Sequence, residues 1–403
     1  MPYACGVRRA LPLVVFVALL LGADADVARA DAPVAEPTWS WASQTSSPQR
    51  LAAGALTDRE QELQTACGVA EQGLHAVAAR LVDRKIRGLS YLDLDGLTFA
   101  QRANGNPHVW PRAWIVSGRA MDQEATLRKL TAWRGTFHDV GERRCGVASG
   151  YAPDGTQIVA AIALDAVADL TTPLPVRTHA GTWLLVEAKM LVPTTGAHVV
   201  VVGPSGEPRS VPTSLDGTVV RARFAPDRPG AFTVQVVADV GTGPRPVVEA
   251  QLYADTEPPL LMPNLAAPGE AAGVGVADAR EALMRMVLAL RAEEHITTLV
   301  RDARLDAVAL AHAQRMKAAR VVGHDVGDGD PAQRLQAAGI DARDAGENVA
   351  HAQSVQLAHR ALWASPSHRQ NLQRPGFDRI GVAVLDDADG SVWVAEVFAR
   401  DLR

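Results

Sequence analysis

The chain has 403 residues, 47% of them hydrophobic and 21% charged, with a formal net charge of −5. That length exceeds one ordinary domain and leads us to expect two or three. The lack of a basic excess argues against a nucleic-acid partner.

Residues 1–30 read as a secretory signal. Arg8 and Arg9 supply the positive start, Leu11 to Gly22 the apolar run, and Ala28-Arg29-Ala30 a small-x-small cleavage pattern that predicts a mature start at Asp31. The apolar run is shorter than the roughly 20 residues that cross a bilayer, and no later stretch is long and apolar enough to do so. The expectation is a secreted or periplasmic protein with no transmembrane segment after cleavage; the alternative is an uncleaved anchor. Cys5 falls within the leader, so Cys67 and Cys145 remain. In an exported chain such a pair predicts one disulfide, the alternative being two buried thiols.

Residues 31–54 are rich in Pro, Ser, Thr and Ala without periodicity and read as a linker. At Thr57-Asp58-Arg59-Glu60 a capping-box pattern opens an apolar helical stripe, and further helices are predicted over Leu74–Ile86 and Asp122–Trp133. The segment closes on two strand-like runs beginning at Arg144 and Asp154. The chain end repeats them: Arg379 and Asp389 each lie 235 positions later, and Ala100-Gln101-Arg102 is echoed by Ala332-Gln333-Arg334. Residues 55–168 and the C-terminal part therefore read as related copies. The first lacks the later copy's polar residues. It has Ala113-Trp114-Ile115-Val116 where the C-terminal copy has a Gly-Glu-Asn motif, and Ala161 where the latter has Glu396; His138 alone is matched in position.

Residues 172–256 change character. Short β-rich runs at about ten-residue spacing, separated by Gly-Pro and Asp-Gly turns, predict a β-sandwich of immunoglobulin-like type. A proline-rich linker follows over residues 257–274.

Residues 275–403 open at Asp278 with Leu283, Met286, Val287 and Leu290 on one stripe, and Leu305 to Met316 form another. His312 falls on that second stripe and reads as core; His351 and His359 read as surface or packing positions. Asp330-Pro331 marks a short helix, and a longer one leads from Ser354 into Ser365-Pro366. Two imidazoles and a carboxylate, His324, Glu347 and His368, sit at the ends of these elements, where side chains can converge.

Five ordered pieces carry a resemblance: His324, Gly346-Glu347-Asn348-Val349-Ala350, Trp363 to Leu372, Phe377 to Val382 and Trp393 to Phe398. In these the C-terminal third resembles the bacterial branch of the CAP superfamily, the fold of cysteine-rich secretory proteins, antigen 5 and plant pathogenesis-related proteins. Ser367 stands where the family usually has glycine. The resemblance implies a C-terminal α-β-α sandwich within a multidomain α+β chain. It also implies a cavity lined by His324, Glu347, His368 and, as fourth polar group, Glu396, with Asp328 or Asp330 as substitutes. His324, Glu347 and His368 could hold a divalent cation such as zinc; alternatively His324 and Glu347 hydrogen-bond each other as a purely structural pair. Three functions stay open: a binding module for a cation or a small, lipid, glycan or protein ligand; a metal-assisted peptidase or esterase-like hydrolase; and a structural or adhesive envelope protein. Neither Ser365 nor Ser367 reads as a nucleophile, because both lie too close to His368 in sequence.

Overall fold

A computed structural model describes residues 38–46, 56–137, 140–263, 266–400 and 402. The expected signal sequence of residues 1–30 and His138 lie outside them.

The first unit begins with α1 (Asp58–Cys67), capped by Thr57 and Glu60 as the capping box requires. It continues through β1 (Val69–Ala70), α2 (Gln72–Ile86), α3 (Leu94–Ala103), β2 (Arg112–Gly118), α4 (Gln123–Arg134), β3 (Glu142–Tyr151) and β4 (Gln157–Ala166). Its sheet runs β1-β3-β4-β2. Leu74, Val77, Leu81 and Phe99 from α2 and α3 pack on one face, against Ile158, Ala160 and Ile162. Leu63 and Leu130 from α1 and α4 pack on the other, against Val147, Val159 and Ala161. Strand alternation sends successive residues of β4 into these two cores.

Nine strands form the central unit: β5 (Ala168–Leu170), β6 (Arg177–Thr178), β7 (Leu184–Met190), β8 (Gly196–Val202), β9 (Arg209–Val211), β10 (Thr213–Asp216), β11 (Val219–Phe224), β12 (Gly230–Val240) and β13 (Gly243–Ala254). They make two sheets, β10-β11-β7-β5 and β6-β13-β12-β8-β9. Both contribute to one core that includes Val186, Phe224, Phe232 and Leu252.

The last unit comprises α5 (Ala279–Glu293), β14 (Val300–Arg301), α6 (Ala303–Ala319), α7 (Pro331–Ala337), β15 (Asp344–Ala352), α8 (Val355–Ala364), α9 (Pro366–Gln373), β16 (Arg379–Asp386) and β17 (Val392–Arg400). Its sheet order, β14-β16-β17-β15, places short-parallel, hairpin and antiparallel strands as the first sheet does. The registers also agree: Val69 and Ala70 pair with Arg144 and Cys145, while Val300 and Arg301 pair with Arg379 and Ile380. Here α5 and α8 cover one face, and α6 and α7 the other.

Two expected linkers have structure. Residues 38–46 are a strap: Trp39, Gln44 and Ser46 are buried, and Trp41 packs edge-on against both Phe99 and Tyr253. The aromatic rings provide the apolar area that a composition-based reading of this stretch overlooks. In residues 257–274, a 3-10 turn over Glu270–Gly273 packs on α5, and Glu270 accepts two hydrogen bonds from Arg360.

Candidate functional site

Glu347 projects from β15 toward the α6 and α7 face, as its strand neighbour Val349 does. Its Oε1 lies 2.8 Å from Nδ1 of His324 and 3.6 Å from Nε2 of His312. Its Oε2 accepts from the Arg334 guanidinium, which also donates to the main-chain oxygens of His324 and Gly329. Burial opposes ionisation of Glu347, but His324, His312 and Arg334 outweigh it and hold the carboxyl below its ordinary range. His312 is fully buried on α6, as its stripe position predicted, yet both its ring nitrogens meet oxygens: Asp328 at 2.8 Å and the Gly323 carbonyl at 3.0 Å.

His368 enters from α9. Its Nδ1 lies 2.8 Å from Ser365 Oγ, which accepts in turn from the Gln235 amide at 3.0 Å. The serine oxygen, with one proton and two lone pairs, can either donate to Nδ1 or accept from it while accepting from Gln235. Burial, and then the nearby His324, push His368 down to about 3. Ser365 thus does contact His368, contrary to the spacing argument, because α9 starts between them and brings positions three apart together at a helix N-terminus.

Glu396 is not part of this group. In register it pairs with Asn348 and Val382, and its β17 neighbours Val394 and Phe398 belong to the α5 and α8 core. Glu347 and Glu396 therefore face opposite sides of one sheet. Glu396 is fully buried, accepts from Asn348 at 3.0 Å, and is pushed up to about 7 by burial. Neither Asp328 nor Asp330 takes its place: Asp328 is bound to His312, and Asp330 caps α7.

The resemblance implies a divalent cation, and of the three expected ligands the Nε2 atoms of His324 and His368 are the ones left to offer it a lone pair. Both oxygens of Glu347 are engaged by cationic or donor groups, one His324 nitrogen is bound to Glu347, and Nδ1 of His368 is bound to serine. Among the described residues no group of three or more His, Cys, Asp or Glu side chains is arranged to hold a metal ion.

Sequence reasoning missed three contributors. Arg334 was visible only as part of the Ala-Gln-Arg echo. The other two come from the central unit: the Thr242 carbonyl accepts from the backbone of His324 at 2.9 Å and of Asp325 at 3.2 Å, and Gln235 Oε1 accepts from Ser367 N at 2.9 Å. No local pattern announces a contact made across domains.

Residues 284–397 match the family model of the cysteine-rich secretory protein family, CAP. This part of the chain is a CAP domain. YkwD, an uncharacterized protein of Bacillus subtilis (strain 168), is 28% identical over 120 residues, 29% of this chain. The chain spans 46% of that relative's length. An extracellular protein containing a SCP domain from Bacillus anthracis str. Ames is 20% identical, covering 43% of this chain and 65% of its own, with a TM-score of 0.29. An outer surface protein from Borrelia burgdorferi is 22% identical, covering 32% and 96%, also with a TM-score of 0.29. No described helix of the present chain is long and apolar enough to cross a membrane.

Proposed function

We propose that this chain is an exported CAP protein that works as a binding module, its CAP cleft taking a polar ligand rich in acceptor oxygens. Export is supported by the leader pattern of residues 1–30 and by the Cys67–Cys145 disulfide, a bond that persists in oxidising compartments. The observation behind binding is the saturation of Glu347 by His324 and Arg334. A carboxylate held ionised by two such partners is a weak general base, since a proton must compete with both. Among the described residues Nε2 of His324 makes no hydrogen bond, and its side chain, 16% exposed, offers a narrow edge to a peptide or glycan oxygen.

We read residues 55–168 as a diverged CAP-like copy, with Ala113 in the place of Glu347, and the central sheets as an immunoglobulin-like spacer. Shared sheet order and strand register support the first reading.

Probing peptide and envelope-glycan arrays with the full chain, its His324→Ala form and its Glu347→Gln form tests the proposal. A signal lost in both variants is expected. Ester or peptide turnover that vanishes in Glu347→Gln would replace binding by hydrolysis.

A further inference from the structure

The turn between β12 and β13 packs on the His324 segment of the CAP domain. Thr242 presents its carbonyl to two successive backbone N–H groups, those of His324 and Asp325. The approach is close from both sides. A Cβ on Gly243 would lie 2.9 Å from the His324 Cβ, and one on Gly323 would lie 2.9 Å from the Thr242 Cβ. Gly243 also has φ of 92°, a conformation that glycine adopts without strain.

The same hairpin engages the first unit through Glu249, which is paired in register with Gln235. Arg102, at the echo position of Arg334, donates to Glu249 of β13 at 3.2 Å, and Glu249 N donates to the Pro107 carbonyl at 2.7 Å. Arg334 has its carboxylate in its own unit, from Glu347; Arg102 takes one from the hairpin. Both flanking units thus receive groups from this hairpin, the first at the Arg102 side chain and the last at the His324–Asp325 backbone.

At the His324–Asp325 backbone the fit is incomplete. The Thr242 hydroxyl is buried without a hydrogen-bond partner among the described residues, a defect that costs stability. Gly241 and Pro244 beside it are exposed, so the turn has room to lift.

We propose that the β12–β13 turn occupies the backbone N–H pair of His324 and Asp325 in cis and that an outside ligand displaces it, the ligand class being a polypeptide turn that offers a main-chain carbonyl to those two groups. This rests on the recognition reading for the purpose of the site, while the occupancy rests on geometry alone.

Carbethoxylation of histidines by diethylpyrocarbonate, mapped by mass spectrometry on the full chain, reads the cover directly. His179, with its side chain 86% exposed, serves as internal reference. In Gly243→Val the added side chain pushes the turn from His324, and the His324 rate should rise at least about fivefold while His179 is unchanged. Gly323→Ala pushes from the other side and stands in if the first variant does not fold. A synthetic peptide of residues 238–247 should restore protection in either variant. An unchanged His324 rate in a folded variant overturns the cover. A raised rate that the peptide does not lower overturns the polypeptide assignment. Because His324 reactivity reports the cover without any outside ligand, failure on the arrays and failure here are separate results.

Discussion

Two carboxylates of the CAP domain lie one register position apart and behave oppositely. Glu347 is ringed by donors and held ionised; Glu396 is buried with a single donor, Asn348, and keeps its proton near neutrality. The pH consequence of Glu396 follows from its rise from 4.5 to about 7. Below about 4.5 both folded and unfolded chains hold this proton. As pH rises toward 7 the unfolded chain releases it first, so the group opposes folding increasingly and then by a constant amount. Glu396→Gln should therefore stabilise the protein by on the order of 2 kcal/mol at pH 8 and leave it unchanged near pH 4. Urea unfolding at the two pH values measures this, and an equal effect at both would refute the assignment. His324, Glu347 and His368 were legible as a set because each stands in a motif at an element end. The face of Glu396 was not: strand parity relative to Glu347 depends on the pairing of Asn348 with Glu396, which no local pattern fixes.

At the scale of elements, the two flanking sheets use glycine alike. A Cβ on Gly146 would lie 2.1 Å from the backbone of Leu74 and His75, and one on Gly381 would lie 2.1 Å from that of Leu305. Each glycine lets a strand touch the start of the helix crossing it. The first unit adds a disulfide between the last residue of α1 and β3, with Cα atoms 5.9 Å apart and 78 residues of sequence separation. Closing a loop of that size stabilises the fold by about 4 kcal/mol in the chain-entropy account. In a Cys5→Ser chain, thiol titration under denaturing, non-reducing conditions should find no free sulfhydryl, and reduction should lower the melting temperature; two titrating thiols would contradict the bond. The helices α2, α4 and α5 could be read from sequence to within a few residues, whereas the apolar positions that follow Thr57 run on past Cys67, where α1 ends and β1 begins. The two-residue strands β1 and β14 could not, since a pair of residues carries no period, and α9 was hidden behind Ser365-Pro366.

Across the whole molecule, one hydrogen-bonded series joins all three units: Arg102 to Glu249, Gln235 to Glu249 and to Ser365, and Ser365 to His368. Gln235 is fully buried although it points away from the central core, because α9 packs over β12. Replacing it with leucine leaves Ser365, Ser367 and Glu249 each short of a partner in a water-poor setting, a loss of about 3 kcal/mol. Calorimetry should show one melting transition for the parent and a separated, earlier transition in Gln235→Leu. If the variant melts as the parent does, the units are not coupled through this residue. Nothing in the sequence around Gln235 marked it, since a glutamine on a strand's outer face ordinarily meets water.

The strap of residues 38–46 sets an order of events during biosynthesis. Trp39 N donates to the Leu260 carbonyl, Gln44 exchanges bonds with Leu174, and Ser46 reaches Leu170. A chain delivered from its N-terminus presents these residues early, long before residue 260 has emerged. The strap can therefore meet Phe99, Leu170 and Leu174 first, and its bond to Leu260 closes only after more than two hundred further residues. Trp41, which packs on Tyr253 and donates to the Pro259 carbonyl, stays incompletely covered through that interval, the stage at which a holding chaperone would find it.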